Sequence, residues 1–164
     1  FLATTHGYTA TQNLVDGPTR GTDYRRGRAA AINISPSFTG AAISVTRALP
    51  ELEGKFDGLA YRVPIAAGSL ADITFVSKRK TSVEEINEIL KNAAASPRWK
   101  GIFGVTEDQL VSSDIVGNPH GSIADLAYTK VVDGYFVKVL AWYDNEWGYV
   151  AMLVGHVLKV AKNL

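Results

Sequence analysis

The sequence predicts an α+β fold, a mostly antiparallel mixed sheet with helices packed on one face. Three observations carry this reading. Extended and helical patterns follow one another without the regular alternation of a parallel α/β sheet. Asp133-Gly134, set between two apolar-rich runs, is a two-residue hairpin signal that makes its flanking strands antiparallel. No Gly-rich dinucleotide fingerprint follows any extended run, so the nucleotide-binding α/β alternative has no support within the chain.

In chain order, residues 1–9 are rich in Thr, aromatic and apolar types and read as a strand. Alternation along it places Thr4, His6 and Tyr8 on one face. From Thr11 to Pro36 periodicity fades, in a segment holding three glycines, two prolines and the arginines Arg20, Arg25, Arg26 and Arg28. A loop of that length inside a domain is either functional or disordered. Thr39-Gly40-Ala41-Ala42 opens a short helix that carries Ile43, Val45 and Leu49 and ends near Pro50. Residues 55–63 and 69–79 read as strands around Arg62-Val63-Pro64.

Ser82-Val83-Glu84-Glu85 is a capping box. The helix behind it is expected to bury Val83, Ile86, Ile89, Leu90, Ala93 and Ala94 and to stop before Pro97. Strands are then predicted at 102–107, 111–116, 122–132 and 135–143. A last helix over 147–163 sets Val150, Leu153, Val154, Val157, Leu158 and Ala161 on one stripe.

Composition narrows the chemistry. The chain of 164 residues suffices for one domain, and its 17 basic and 16 acidic side chains nearly cancel, which argues against a nucleic-acid or membrane-surface role. There is no cysteine, so disulfides, thiolate metal sites and a cysteine nucleophile are missing from these residues. Three scattered histidines do not make a metal cage, and no metal site is expected. No apolar run approaches the ~20 residues of a membrane span, no signal-like N-terminus is visible, and a cytoplasmic location is the default. The chain opens Phe-Leu-Ala-Thr-Thr, inside a strand, and so reads as a fragment whose upstream part is missing.

Several residues have both a chemical and a structural reading. His6 is either a strand histidine or, with Thr9 three positions on and Gly7 ending the strand between them, part of a site. Arg62 interrupts an apolar strand and must reach solvent, a carboxylate or a ligand anion, because a buried unpaired guanidinium is prohibitively costly. Thr39 and Gly40 precede a helix, where a hydroxyl and backbone N–H groups either cap the helix or hold a phosphate. Arg25, Arg26 and Arg28 are by default a solvated face. Asn145, inside Trp142-Tyr143-Asp144-Asn145-Glu146-Trp147, either shares capping with Asp144 or pairs its amide with a ligand carboxamide.

These stretches together resemble the glyceraldehyde-3-phosphate dehydrogenase family over essentially the whole chain. The similarity runs through Thr4-Thr5-His6-Gly7-Tyr8-Thr9-Ala10-Thr11-Gln12, Val15-Asp16-Gly17-Pro18 and Arg25-Arg26-Gly27-Arg28-Ala29-Ala30-Ala31. It continues through Thr39-Gly40-Ala41-Ala42, Leu49-Pro50-Glu51-Leu52-Glu53-Gly54-Lys55, Arg62-Val63-Pro64, Val111-Ser112-Ser113-Asp114 and Trp142-Tyr143-Asp144-Asn145-Glu146.

The resemblance implies the C-terminal, catalytic domain of an NAD-dependent phosphorylating aldehyde dehydrogenase. Glyceraldehyde 3-phosphate, phosphate and NAD would become 1,3-bisphosphoglycerate and NADH by way of a cysteine-bound hemithioacetal and thioester. His6 then matches the catalytic base, Thr9 and Arg62 the substrate's phosphate pocket, and Thr39, Gly40 and Arg26 the pocket for attacking phosphate. Asn145 matches the residue that holds the nicotinamide carboxamide. The arginine-rich loop is similar to one that lies near a neighbouring subunit's cofactor in a homotetramer. The nucleophilic cysteine and the NAD-binding domain would precede residue 1, so the fragment alone is expected to be inactive. Phe38 and Ile65 depart from the Ser/Thr and Thr usual at those positions, and the loop between Pro18 and Arg25 is slightly long. Erythrose-4-phosphate dehydrogenase, which shares the chemistry, and a non-catalytic assembly module remain alternatives.

Overall fold

A computed structural model describes residues 1–162, and these separate into two units, residues 1–66 and 67 onward. Seven strands of mixed sheet and three α-helices make the α+β class that the sequence predicts.

The first unit is built on β1 (Leu2–Gly7), β2 (Ser35–Phe38) and β3 (Gly58–Val63), with α1 (Ala41–Ala48) between the last two. The strand order is β2-β3-β1. β3 runs parallel to β1, from Leu2 opposite Gly58 to Gly7 opposite Val63, and antiparallel to β2. β1 stops at Gly7, so Tyr8 falls outside it, although Thr4 and His6 keep the same parity. β2 lies inside or just after what reads as loop. Its apolar signal is inverted: Ser35 and Ser37 point inward while Pro36 and Phe38 face out. Proline is tolerated there because β2 borders only β3 within this unit.

The long segment before β2 is ordered by its own backbone. Asn13 N–H donates to Arg26 O, Ala30 N–H to Asn13 O and Gly17 N–H to Gly27 O, each at 2.9 Å. Gly27 is required where strands of the loop meet, since a Cβ there would lie 2.2 Å from Gly17 O. A short 3-10 turn, Tyr24–Gly27, carries Arg25 and Arg26.

The second unit holds β4 (Ser69–Val76), β5 (Phe103–Thr106), β6 (Ser122–Val132) and β7 (Phe136–Tyr143), with α2 (Val83–Ala95) and α3 (Trp147–Ala161). Its order is β4-β7-β6-β5. β7 is antiparallel to both β4 and β6, and β5 is parallel to β6. The Asp133-Gly134 turn has the two positive φ angles of a hairpin turn, 52° and 73°. Tyr135 N–H closes it on Val132 O at 3.1 Å. β6 bulges between Asp125 and Lys130. The buried Asp125 carboxylate holds that irregularity, accepting from Ala127 N–H and from the Trp142 indole.

The core of this unit gathers Ala124, Val137 and Val139 against Ile86 and Leu90 of α2 and Phe103, Val105 and Val131. Ser82 caps α2 through Glu85 N–H at 3.2 Å. The Glu85 carboxylate does not complete the capping box but turns to Arg79 and the Thr81 hydroxyl. Of the six apolar positions expected inside, Ile89 is exposed and the other five are half-buried.

Two further expectations are corrected. Residues 111–116 are not a strand: Ser112–Ile115 form a 3-10 turn, closed by Val111 N–H on the Asp114 carboxylate at 2.8 Å. The short Asp114 side chain, bonded to its own local backbone, outcompetes the β signal of the flanking Val and Ile. The apolar stripe of α3 is helical as expected, yet Val150, Leu153, Val154, Val157 and Leu158 are exposed and only Gly148 is buried. The helix is apolar around most of its circumference, so its periodicity does not select a core face. Its expected end at residue 163 lies outside the described residues.

Gly68 has φ +82° and would carry a Cβ 2.2 Å from Ser112 O, whereas Gly54, at φ +68°, has open space. Gly68→Ala is therefore expected to cost about 2–4 kcal/mol, strain plus clash, and Gly54→Ala only about 1 kcal/mol. Urea unfolding of the two variants checks this, and equal losses would contradict it.

Candidate functional site

The parallel register of β1 and β3 sets His6 directly opposite Arg62. Arg62 Nη1 lies 2.7 Å from His6 Nδ1 and donates to Gly7 O at 3.1 Å. His6 Nδ1 is also 2.7 Å from Gly7 O. Both side chains are half-buried. Gly7 permits the crowding, because a Cβ there would sit 2.6 Å from Ile65 O in the segment that follows Arg62. The partially buried guanidinium, for which the sequence demands a carboxylate, solvent or an anion, is seated beside an imidazole nitrogen and a carbonyl.

The loop arginines fall into two kinds. Arg25 pairs with Asp23 at 2.6 Å and Arg28 with Asp16 at 3.4 Å. The bond from Arg25 holds the Asp23 carboxyl below its usual range, and Asp16 is held low first by Ala29 N–H and then by Arg28. Arg26 is different. It donates to the Thr11 hydroxyl at 2.7 Å and, at 3.4 Å, to that of Ser37. Among the described residues it forms no ion pair, so neutral oxygens orient it, although its charge is felt by the Asp23 carboxyl. Thr9 and Thr11 hydroxyls are 3.1 Å apart. A hydroxyl chain thus runs from Thr9 through Thr11 to Arg26 and Ser37. Arg26, Thr11, Arg20 and Asn13 help line a cavity of about 720 Å³ with no carboxylate on its wall.

Thr39 and Gly40 open α1. The Thr39 hydroxyl accepts from Ala41 N–H at 3.2 Å, and Gly40 is the N-cap residue without a capping side chain. No atom lies within 4 Å of where a Gly40 Cβ would be. That open helix start offers N–H groups at the positive end of the helix dipole. Phe38, just before it, faces outward with the Arg25 guanidinium 6.0 Å from its ring centre.

Asn145 belongs to the second unit, just before α3. Capping there falls to Asp144, which accepts from Glu146 and Trp147 N–H through Oδ1 and from Gly117 N–H through Oδ2, at 2.7–2.8 Å. Burial pushes the Asp144 carboxyl up, but these three N–H bonds outweigh it and hold the group below its usual value. Asn145 is thereby released from capping, and its Oδ1 accepts from the buried Ser69 hydroxyl at 3.4 Å. Among the described residues no cluster of His, Asp and Glu is placed to hold a metal ion.

The structure therefore joins His6 to Arg62, and Thr9 to Arg26 through Thr11, and sets Thr39 with Gly40 at one helix start. Sequence reasoning missed Ser37 and Ser69 and gave Thr11 no role. Polar residues at inward parity, Ser35 and Ser37 around Pro36, were the available signal for the first.

Comparison with known proteins agrees with the resemblance. The family model described as glyceraldehyde 3-phosphate dehydrogenase, C-terminal domain, matches residues 1–145. Glyceraldehyde-3-phosphate dehydrogenase of Mycobacterium avium is 52% identical over 164 residues, covering 100% of this chain and 47% of its own length. The proteins of the same name from Borreliella burgdorferi and Clostridium pasteurianum are 48% and 46% identical over 99% of the chain. The chain spans about half the length of these curated relatives.

The Asp144 cap has a pH signature. Its folded pKa lies below the ordinary 3.8, so the fold favours the ionised form. That stabilisation is complete above the unfolded value and is lost as pH falls through the folded one. As pH falls below about 5 the protein should lose urea resistance more steeply than Asp144→Asn. Parallel acid limbs for the two would contradict the assignment.

Proposed function

The chain belongs to the glyceraldehyde-3-phosphate dehydrogenase family, as its C-terminal domain, and from that premise we propose that it supplies the base and both phosphate seats of an NAD-dependent phosphorylating aldehyde dehydrogenase. The whole protein would convert glyceraldehyde 3-phosphate, inorganic phosphate and NAD to 1,3-bisphosphoglycerate and NADH, in the cytoplasm and as a homotetramer. The cysteine nucleophile and most of the NAD seat would lie in the half of the protein that these residues do not span. No helix among the described residues is long and apolar enough to cross a membrane.

The observation that carries the reading is the pairing of His6 and Arg62 across β1 and β3. A proton acceptor stands beside a fixed cation, as an aldehyde with a phosphate on its far carbon requires. Arg62 and the Thr9 hydroxyl would hold that phosphate by charge-assisted bonds. His6 would take the proton of the substrate hydroxyl as the carbon is oxidised. The attacking phosphate would sit at the α1 start, on Thr39 and the N–H groups after Gly40, with Arg26 as its cation. Arg26 suits an anion because hydroxyls, not carboxylates, hold it.

Asn145 fits the carboxamide of NAD, since its amide offers both donor and acceptor and Ser69 steadies it. Bound there, the nicotinamide would supply the hydride acceptor, and Asn145 would fix which ring face meets the substrate.

Steady-state NADH production by the full-length protein tests the roles. His6→Gln should lower kcat by about 10²- to 10⁴-fold. Arg62→Ala should raise KM for glyceraldehyde 3-phosphate by about 10- to 100-fold, and Arg26→Ala the KM for inorganic phosphate. Unchanged kcat in His6→Gln, or a preference for erythrose 4-phosphate in the unsubstituted protein, would overturn the reading.

A further inference from the structure

Ser69, the first residue of β4, is 1% exposed and is fixed by backbone on two sides. Gly68 before it has φ +82° and packs so closely on the Ser112–Ile115 turn that a Cβ would meet Ser112 O at 2.2 Å. Across the sheet, Ser69 is paired with Tyr143 of β7, two residues before Asn145. Asp144, between those two, accepts from Gly117, Glu146 and Trp147 N–H and so holds the chain on either side of Asn145. The Ser69 hydroxyl donates to Asn145 Oδ1 at 3.4 Å, and among the described residues this is the only bond of either side chain. The bond is long, and its weight lies less in its own strength than in the cost of the alternative. Turning the amide over would set Nδ2 against the hydroxyl and leave a buried O–H hydrogen without an acceptor, which is costly. Oδ1 therefore faces Ser69, and both hydrogens of Nδ2 are unspent.

We propose that Ser69 is a positioning residue for the cofactor: its hydroxyl fixes Asn145 as a hydrogen-bond donor, so the site selects pyridine rings that carry a carbonyl acceptor. The proposal rests on the reading of Asn145 as the seat of the nicotinamide carboxamide. An asparagine amide free to turn would pair with either end of a carboxamide, since each group offers one donor and one acceptor end. With Oδ1 already accepting from Ser69, the end that Asn145 holds is the carboxamide oxygen. The carboxamide nitrogen then contributes little at this point. Specificity for the ring substituent is thus set by a buried serine that acts through Asn145. A serine that only fills space would give no preference between an acceptor and a donor on the ring.

Calorimetric titration of the full-length protein with three dinucleotides tests this. NAD is compared with its 3-acetylpyridine analogue, which keeps the carbonyl and lacks the amide nitrogen, and with its 3-aminopyridine analogue, which keeps a nitrogen donor and lacks the carbonyl. The unsubstituted protein should bind the acetylpyridine analogue within about 3-fold of NAD, and the aminopyridine analogue about 10-fold or more weakly than either. In Ser69→Ala the amide is free to turn, and the preference for acetyl over amino should fall to about 3-fold or less. The preference is a ratio of affinities within one protein, so loss of folded material does not move it. A Ser69→Ala protein that weakens all three ligands while keeping the ratio overturns the positioning role. So does an unsubstituted protein that binds the aminopyridine analogue as tightly as the acetylpyridine one. If Asn145→Ala left the affinity for NAD unchanged, the cofactor reading would fail instead, whatever Ser69 does.

Discussion

The parallel pairing of β1 with β3 is the constraint on which the first unit depends. It places residue 6 opposite residue 62, and a shift of one position would send one of the two side chains to the other face. Two features hold that register. β3 is paired on both sides, so its backbone groups are committed along its length. Gly7 and Gly58 then let the strands close at each end, since a Cβ on either would lie within 2.7 Å of a backbone oxygen. The His6–Arg62 contact is therefore a product of backbone pairing and is not left to two flexible side chains. A site that must hold a proton acceptor and a cation at fixed separation gains from standing on strands rather than loops.

Around that pair the fold treats charge unevenly. Arg25 and Arg28, with carboxylate partners, stiffen the loop between β1 and β2. Arg26, between them, is held by Thr11 and Ser37. Exposed ion pairs of the first kind contribute little to stability, and the arginine between them is oriented by hydroxyls with no carboxylate at ion-pair distance among the described residues. The second unit repeats the logic at a helix start. Asp144 takes the capping bonds of α3, and Asn145 next to it keeps its amide for other use.

Much of this was legible in the sequence where one local rule dominated. Asp133-Gly134 forms its turn because few residues adopt two successive positive φ angles, and Ser82 starts α2 because its hydroxyl satisfies an otherwise orphaned N–H. The failures share a cause. β2 is short, carries a proline and turns serines inward, so apolar periodicity runs against its true face. Residues 111–116 look extended by composition, yet the Asp114 side chain bonds the local backbone. α3 has apolar residues on nearly every side, and pattern alone could not say which would be covered. Among the candidate residues, His6 and Arg62 in the first unit and Asn145 in the second were singled out through motif resemblance, but the division among Arg25, Arg26 and Arg28 was not. It depends on Thr11 and Ser37, distant in sequence from Arg26 and ordinary in composition.

The central claim is that His6 and Arg62 act as one physical unit. A double-mutant cycle on kcat/KM for glyceraldehyde 3-phosphate, with His6→Gln, Arg62→Ala and both together in the full-length protein, measures this most directly. The account predicts a coupling energy of about 1 kcal/mol or more, because each loss removes part of what the other residue does. Effects that add within about 0.5 kcal/mol would show two independent residues and contradict it.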